Sequence, residues 1–315
     1  MISFAEFAPM AAASLMVSVV AAGMIGMLVS APFILLALRR GYWTGILALL
    51  GFCLVCAVLG GPMAGGAILL LTVFLVAGVP VLLKRQRPYM EYLVCATGLA
   101  LVSVLAVMGA YALMAGESLF TAFVAAAEKF LNDTQFFTGI FAIYQQSGLI
   151  DSTITAGEFN TLILSYLKDM ASVVPAFLLT ASAVTGILNL IIPYRMAVRK
   201  GVQMPLIPPF GRWRLPRGTF LGFFVLGIVS YLLTFINAAM GQPVFYTVSS
   251  LFLFVYSVQG LSVVAFLMDR TKMSGVLKVI LCLLLFAFLS TVLFIVGVFE
   301  QFLHIRELVD HMKDR

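Results

Sequence analysis

The sequence predicts an all-α, polytopic membrane protein, and two features of its composition and one of its patterning support this. Hydrophobic residues make up 63% of the 315-residue chain, whereas charged residues make up 10%. Soluble domains carry about 25% charged residues, so this chain has too little polar surface to coat a globule of its size in water. The mean hydropathy is +1.12, and the apolar residues are grouped into runs that approach the ~20 residues needed to cross a bilayer.

Eight apolar runs predict about eight spanning helices in a single integral-membrane domain. They lie near residues 10–38, 43–59, 66–83, 91–114, 169–192, 218–237, 243–268 and 276–299. The first run follows a start without basic residues and exceeds the apolar core of a signal peptide, so we interpret it as a retained span. The second and third runs are short and flank a glycine-rich turn, so they form either two thin spans or a hairpin that does not cross fully.

The distribution of lysine and arginine predicts the orientation. Fourteen of these residues fall in one set of loops and five in the alternate set. Because basic loops are retained in the cytoplasm, the first set is predicted to lie inside and the N-terminus outside. Three of the five opposing charges lie in the C-terminal tail, so the pattern leaves the side of the C-terminus open.

Two long connections carry most of the polar residues. Residues 115–168 form the predicted outer segment, in which apolar residues between 119 and 131 recur at helical spacing opposite Glu117, Glu128 and Lys129. That pattern predicts amphipathic helices that serve as a structural cap or as a substrate lid. The predicted inner loop, 193–217, contains five prolines, which favour an extended path over a helix.

The inner loop is strongly basic and is predicted to contact membrane lipid. The residues predicted to make this contact are Arg195, Arg199, Lys200, Arg212, Trp213, Arg214 and Arg217. Tyr194 and Trp213 are typical headgroup-level anchors, and the basic residues would attract anionic headgroups. No nucleic-acid partner is expected, because the loop is short and pressed against the membrane.

The segment 208–216, which reads PPFGRWRLP, follows Arg199-Lys200-Gly201 and a span that contains Asn189. This arrangement resembles the signature of the YybS-like family of bacterial inner-membrane proteins, grouped as DUF2232, a domain of unknown function. The resemblance implies a multi-pass protein of the bacterial cytoplasmic membrane. It also implies a remote likeness to the S components of energy-coupling-factor transporters, which are helical bundles that bind small ligands and dock on a module driven by ATPases.

Small residues form a stripe along the first predicted span. Ser14, Ser18, Ala22, Gly26 and Ser30 follow one another at four-residue steps. Such a stripe allows another helix to approach closely. It would pack within this protein's own bundle or dock on a membrane-protein partner, the second being the role that the S-component resemblance implies for a first helix.

The predicted spans contain essentially no ionisable residues, which argues against several kinds of function. Ion-coupled pumps, intramembrane metalloenzymes and aspartyl proteases need such groups at depth. We therefore expect no catalytic residue, no metal and no cofactor, and a protein that is not an enzyme. The sequence also lacks a Gly-Lys-Ser/Thr phosphate loop, so any ATPase must be a separate partner.

The polar residues inside the predicted bundle are neutral and have two possible roles: they line a ligand pocket or they cross-link helices. These residues are Asn189, Asn237, Gln242, Tyr246, Tyr256 and Gln259.

The C-terminal tail contains a group of ionisable residues that share one helix face: Glu300, His304, Glu307, His311 and Asp314. This face is predicted to be the solvated face of an interfacial amphipathic helix rather than a metal site.

These observations favour a non-enzymatic, S-component-like binder or transporter subunit for a small neutral or amphiphilic ligand. Two alternatives stay open. One is a membrane scaffold that organises cell-envelope proteins. The other is a lipid-modifying enzyme whose basic inner loop holds a lipid phosphate, although no paired carboxylate or activated nucleophile accompanies that loop.

Overall fold

The computed structural model describes residues 28–85, 87–132, 141–143, 145–147, 155–169, 173–271 and 273–313. Across these ranges the regular structure is helical, with no strand, which confirms the predicted all-α class. The helices are α1 (Ser30–Arg40), α2 (Tyr42–Gly60), α3 (Pro62–Lys84), α4 (Tyr89–Ala115), α5 (Leu119–Asn132), α6 (Ala156–Asp169), α7 (Val174–Arg199), α8 (Thr219–Ile236), α9 (Ala238–Met268), α10 (Gly275–Phe288), α11 (Ser290–Leu303) and α12 (Ile305–Lys313).

Six predicted spans correspond to continuous helices that are long and apolar enough to cross a membrane. These helices are α2, α3, α4, α7, α8 and α9. Five of them begin and end close to the bounds expected from hydropathy, whereas α7 lies further along the chain than the predicted 169–192. The span predicted at 10–38 lies mostly outside the described residues, which begin at residue 28.

The predicted span 276–299 is not one continuous helix. It is broken at Leu289 into α10 and α11, which meet at an angle of 101°. The Ser257 hydroxyl of α9 donates a hydrogen bond of 2.9 Å to the Ser290 carbonyl, so the start of α11 is held against α9 at the break. Each half has 14 residues and is therefore about 21 Å long, which is too short to cross a hydrocarbon core of ~30 Å alone.

Two amphipathic helices, α5 and α6, connect the fourth and fifth predicted spans, as expected. The start of α6 is fixed by a capping box formed by Thr155 and Glu158. The Glu158 carboxylate accepts a bond of 2.9 Å from the Thr155 amide, and the Glu158 amide donates to the Thr155 hydroxyl over 3.3 Å. The bond from the Thr155 backbone is the main reason why the pKa of Glu158 is lowered.

The packing divides the chain into two compact units. Unit 1 comprises the described residues up to Val174 together with Ala181–Pro205, and unit 2 comprises Pro175–Thr180 and the described residues from Leu206 onward. In unit 1, α2 packs against α1 and α3, and α3 also packs against α4. Gly186 of α7 lies against α4 so closely that an added Cβ would be 2.3 Å from the Ala96 carbonyl oxygen.

Unit 2 is built around α9, which packs against α8 and α11. Gly260 and Gly297 let α9 and α11 approach: a Cβ at Gly260 would lie 1.9 Å from the Leu293 carbonyl oxygen. On the same helices, an aromatic cluster surrounds Tyr256, which contacts Phe252 at 5.0 Å and Phe294 at 6.2 Å between ring centroids. By contrast, most of α8 is exposed and apolar, as expected of a helix that faces lipid.

Candidate functional site

A cluster of neutral polar side chains is buried in unit 1, on one face of α7. The cluster consists of Ser182, Thr185 and Asn189. They are spaced three and four residues apart, which places them on the same side of the helix. All three are at most 1% exposed. The Asn189 amide donates to the Thr185 carbonyl over 3.0 Å, and its Oδ1 accepts a 2.5 Å bond from the Ser30 hydroxyl of α1.

Two hydroxyls of this cluster have no hydrogen-bond partner among the residues that the structure describes. Ser182 Oγ and Thr185 Oγ1 are buried without a hydrogen-bond partner anywhere in the described part of the chain. A buried polar group left unpaired costs about 1–3 kcal/mol. Both residues lie near the middle of the 26-residue helix α7, which is long and apolar enough to cross a membrane. Hydroxyl and amide groups of this kind bind neutral polar groups but supply no acid or base near neutral pH.

The structure does not bring the predicted ligand-binding residues of unit 2 together. Tyr256 is fully buried within the aromatic cluster, and Gln259 accepts a 3.2 Å hydrogen bond from the Leu215 amide. Asn237, Gln242 and Tyr246 are exposed near the start of α9. Gln242 and Gln259 are 17 positions apart on one helix, which separates them by about 25 Å along its axis. Asn189, the sixth candidate, belongs to the unit 1 cluster.

One member of the predicted small-residue stripe lies within the described residues. Ser30 is fully buried, and its hydroxyl bonds to Asn189 as described above. At this position the stripe therefore packs inside unit 1. Ser14, Ser18, Ala22 and Gly26 lie outside the described residues.

In unit 2, Arg306 of α12 joins residues 208–216, which we call the motif loop, to two helices. Its Nη1 atom donates to the carbonyl oxygens of Gly211 and Trp213 over 2.8 and 2.9 Å. Its Nη2 atom donates to the Ser262 hydroxyl of α9 over 3.2 Å, and its Nε atom lies 3.2 Å from Glu300 Oε1 of α11. The arginine is 2% exposed and Glu300 is 4% exposed. We call this arrangement the arginine junction.

The junction corrects two predictions. Glu300 was expected on a solvated face, but it is buried because Arg306 folds back to pair with it. Trp213 was expected as a headgroup anchor, but its side chain is 7% exposed and its indole donates to the Pro208 carbonyl over 3.0 Å. Tyr194 of unit 1 is likewise buried, and its hydroxyl donates to the Pro205 carbonyl over 2.8 Å. These rings stabilise the loop from within the protein.

The basic residues of the inner loop lie at the surface, and their contact with lipid stays a prediction. Arg195, Arg199 and Lys200 are exposed in unit 1, and Arg212, Arg214 and Arg217 are exposed in unit 2. Arg214 forms an ion pair of 2.5 Å with Glu307 of α12. The hydrogen bond from Arg214 is the main reason why the pKa of Glu307 is lowered.

Sequence reasoning missed Ser182, Thr185, Ser262 and Arg306. Ser182 and Thr185 are on the same face of α7 as Asn189, so their helical spacing from that asparagine could have identified them as candidates. Ser262 and Arg306 are far in sequence from the loop carbonyls that they contact, and nothing in the local pattern distinguishes them. The sequence Thr155-x-x-Glu158 is the pattern of a capping box, so the start of α6 could also have been predicted from it.

The fold and these sites define a multi-pass α-helical membrane protein. The chain belongs to the family described as predicted membrane protein (DUF2232), which matches residues 10–300. This agrees with the resemblance carried by the loop motif. No curated protein matches the chain. No solved structure matches it either.

Proposed function

We propose that this protein is a non-enzymatic, S-component-like binding or transport subunit of the bacterial cytoplasmic membrane. Its ligand is a small neutral or amphiphilic molecule, and it works with a partner membrane protein or a separate ATPase module. The observation that carries the proposal is the buried cluster of Ser182, Thr185 and Asn189, in which two hydroxyls lack a hydrogen-bond partner among the described residues.

The chemistry of this cluster supports a neutral ligand. A charged ligand at membrane depth needs an opposite charge or extensive hydration, and this cluster supplies hydroxyl and amide groups instead. A ligand with a hydroxyl, carbonyl or amide group would pair with Ser182 and Thr185 and remove the cost of burying them unpaired.

The same residues support a binding role over catalysis. General acid–base chemistry uses a group whose pKa lies near the working pH, whereas serine, threonine and asparagine do not titrate in that range. The partner in the proposal rests on the S-component resemblance and on the lack of a phosphate-binding loop in this sequence. The predicted orientation, with the inner loop in the cytoplasm, would expose that loop to a cytoplasmic ATPase module.

Purification in mild detergent followed by mass spectrometry tests the proposal. The full-length protein is compared with a mock purification from the same membranes, and both small molecules and proteins are identified. We expect one class of small neutral or amphiphilic molecule to be enriched with the protein. Recovery of the protein free of any enriched small molecule would contradict the proposal, and enrichment of envelope proteins alone would support the scaffold alternative.

A further inference from the structure

An open, mostly apolar groove of about 550 Å³ lies between α3 and α4 in unit 1. Its walls include Phe74, Gly78 and Leu82 of α3 and Cys95 and Gly98 of α4. The volume is within the range of about 300–1,000 Å³ that small-ligand sites occupy. Because Cys95 and Gly98 are exposed, the groove opens at the surface of unit 1, whereas the polar cluster on α7 is buried.

Two glycines shape the groove. A Cβ added to Gly98 would have no described atom within 4 Å, so the side chain that this residue lacks would stand in the open space. A Cβ added to Gly78 would lie 2.4 Å from Leu99 Cδ1, so the Leu99 side chain packs directly on the backbone of α3. The groove therefore exists because small residues replace the side chains that would fill it.

The groove has the depth of one membrane leaflet. Phe74 and Arg85, its two ends along α3, are 11 positions apart, which corresponds to about 16 Å of helix and to about half of a hydrocarbon core of ~30 Å. Arg85 directly follows the end of α3, which is long and apolar enough to cross a membrane. An acyl chain of one leaflet matches this length, whereas a partner helix that crosses the membrane would extend beyond the groove.

Arg85 is the charged residue of the groove lining. Its backbone is held by the fully buried Tyr92, whose hydroxyl donates to the Arg85 carbonyl and accepts a 2.9 Å bond from the Arg87 amide. The acid of this turn, Glu91, pairs with Arg87 at 3.9 Å. The Arg85 guanidinium has no ion pair or hydrogen bond with a described residue. Such a planar, exposed guanidinium suits the paired oxygens of a phosphate.

We propose that this groove binds an anionic phospholipid, with an acyl chain between α3 and α4 and the headgroup phosphate at Arg85. The apolar walls suit hydrocarbon rather than a free anion, and the arginine at the end of the groove favours a negatively charged headgroup over a zwitterionic one. The inference goes beyond the proposed function and does not depend on it, because the groove and the polar cluster on α7 are formed by different residues.

Lipid retention by the full-length protein tests the role of Arg85. The protein is placed in nanodiscs of equal parts phosphatidylglycerol and phosphatidylcholine, released, and analysed by native mass spectrometry. Arg85→Gln is compared with Arg40→Gln, which removes an exposed arginine from the end of α1. We expect the ratio of bound phosphatidylglycerol to phosphatidylcholine to fall about fivefold in Arg85→Gln and to change little in the control. An unchanged ratio in Arg85→Gln, or an equal fall in Arg40→Gln, would overturn the headgroup assignment.

A second pair of variants tests the groove itself. Gly98→Leu fills the groove, whereas Gly109→Leu adds the same side chain to α4 outside the groove, also at a position where no described atom lies within 4 Å of the added Cβ. We expect fewer bound lipids of both kinds in Gly98→Leu and wild-type retention in Gly109→Leu, with melting in detergent confirming that both variants fold. Equal retention in the two variants would overturn the groove as the lipid site. A wild-type dimer that becomes a monomer in Gly98→Leu would overturn it in favour of a second copy of the chain.

Discussion

Arg306 and Glu300 form an ion pair that is withdrawn from solvent, with Nε and Oε1 separated by 3.2 Å and the two side chains 2% and 4% exposed. The Arg306 amide also donates to Glu300 Oε2 over 3.4 Å. The pair links the C-terminal helix to the motif loop, because the rest of the guanidinium bonds to Gly211, Trp213 and Ser262. The tail therefore stabilises the conformation of the motif loop.

Removing one partner of this pair should destabilise unit 2 strongly. Arg306→Met leaves Glu300 buried without its counter-charge, and such changes cost about 3–5 kcal/mol. The matched control, Arg214→Gln, removes an arginine from an exposed ion pair, so it should lower the melting temperature much less. Thermal melting in detergent compares both variants with wild type. Equal melting temperatures for Arg306→Met and wild type would contradict the structural role of the junction.

The contact between α9 and α11 should not tolerate a side chain at Gly260. Gly260→Ala places a Cβ 1.9 Å from the Leu293 carbonyl oxygen, so the helices must separate, with an expected loss of about 1–3 kcal/mol. Gly222→Ala is the control, since no atom lies within 4 Å of its added Cβ and alanine favours the helix. The control should melt at or above the wild-type temperature. A Gly260→Ala protein as stable as the control would show that the approach is not as close as described.

Acidification should weaken the contact between Arg214 and Glu307. Because the pKa of Glu307 is lowered from its ordinary 4.5, the contribution of the pair is fully present above that ordinary pKa and is lost as the pH falls through the lowered one. Both groups are exposed, so the effect should be small and reduced by salt. Wild type and Glu307→Gln should differ in melting temperature near neutral pH and converge in acid. A difference that persists at all pH values would contradict this account.

Labelling of single cysteines tests the predicted orientation. The background lacks Cys53, Cys56, Cys95 and Cys282, and the introduced sites are Thr161→Cys in α6 and Gln203→Cys in the inner loop, both exposed. An impermeant maleimide should label position 161 in intact spheroplasts and position 203 after lysis. The reverse pattern would place the basic loop outside and would remove the cytoplasmic docking side from the proposed function.

Hydropathy predicted the six helices that are long and apolar enough to span a bilayer, because polar or glycine-containing turns separate the apolar runs. The predicted run 91–114 corresponds to Tyr89–Ala115, and 43–59 corresponds to Tyr42–Gly60. The break at Leu289 could not be predicted in this way. Neither proline nor glycine marks it in the sequence, and its anchor to Ser257 joins residues 33 positions apart.

The candidate sites were predicted in part. Asn189 was found because an amide inside an apolar run is conspicuous, whereas Ser182 and Thr185 were missed because hydroxyls in such helices usually bond to their own backbone. The burial of Arg306 depends on carbonyl oxygens more than 90 positions away in the chain. When charged residues fall on one face of a predicted helix, that face is predicted to be exposed to solvent. The pattern gives no information about hydrogen-bond partners that are distant in the sequence.

The most direct test of the central claim is the occupancy of the unit 1 cluster by a ligand. Native mass spectrometry compares the full-length wild type with Thr185→Val, which at nearly constant volume removes a hydroxyl that has no hydrogen-bond partner among the described residues. Thr247→Val is the control, because the Thr247 hydroxyl already donates to the Pro243 carbonyl over 2.7 Å. We expect ligand binding to weaken about fivefold in Thr185→Val, as for the loss of one hydrogen bond, and to be unchanged in the control. Equal occupancy in all three proteins would contradict the claim that this cluster binds the ligand.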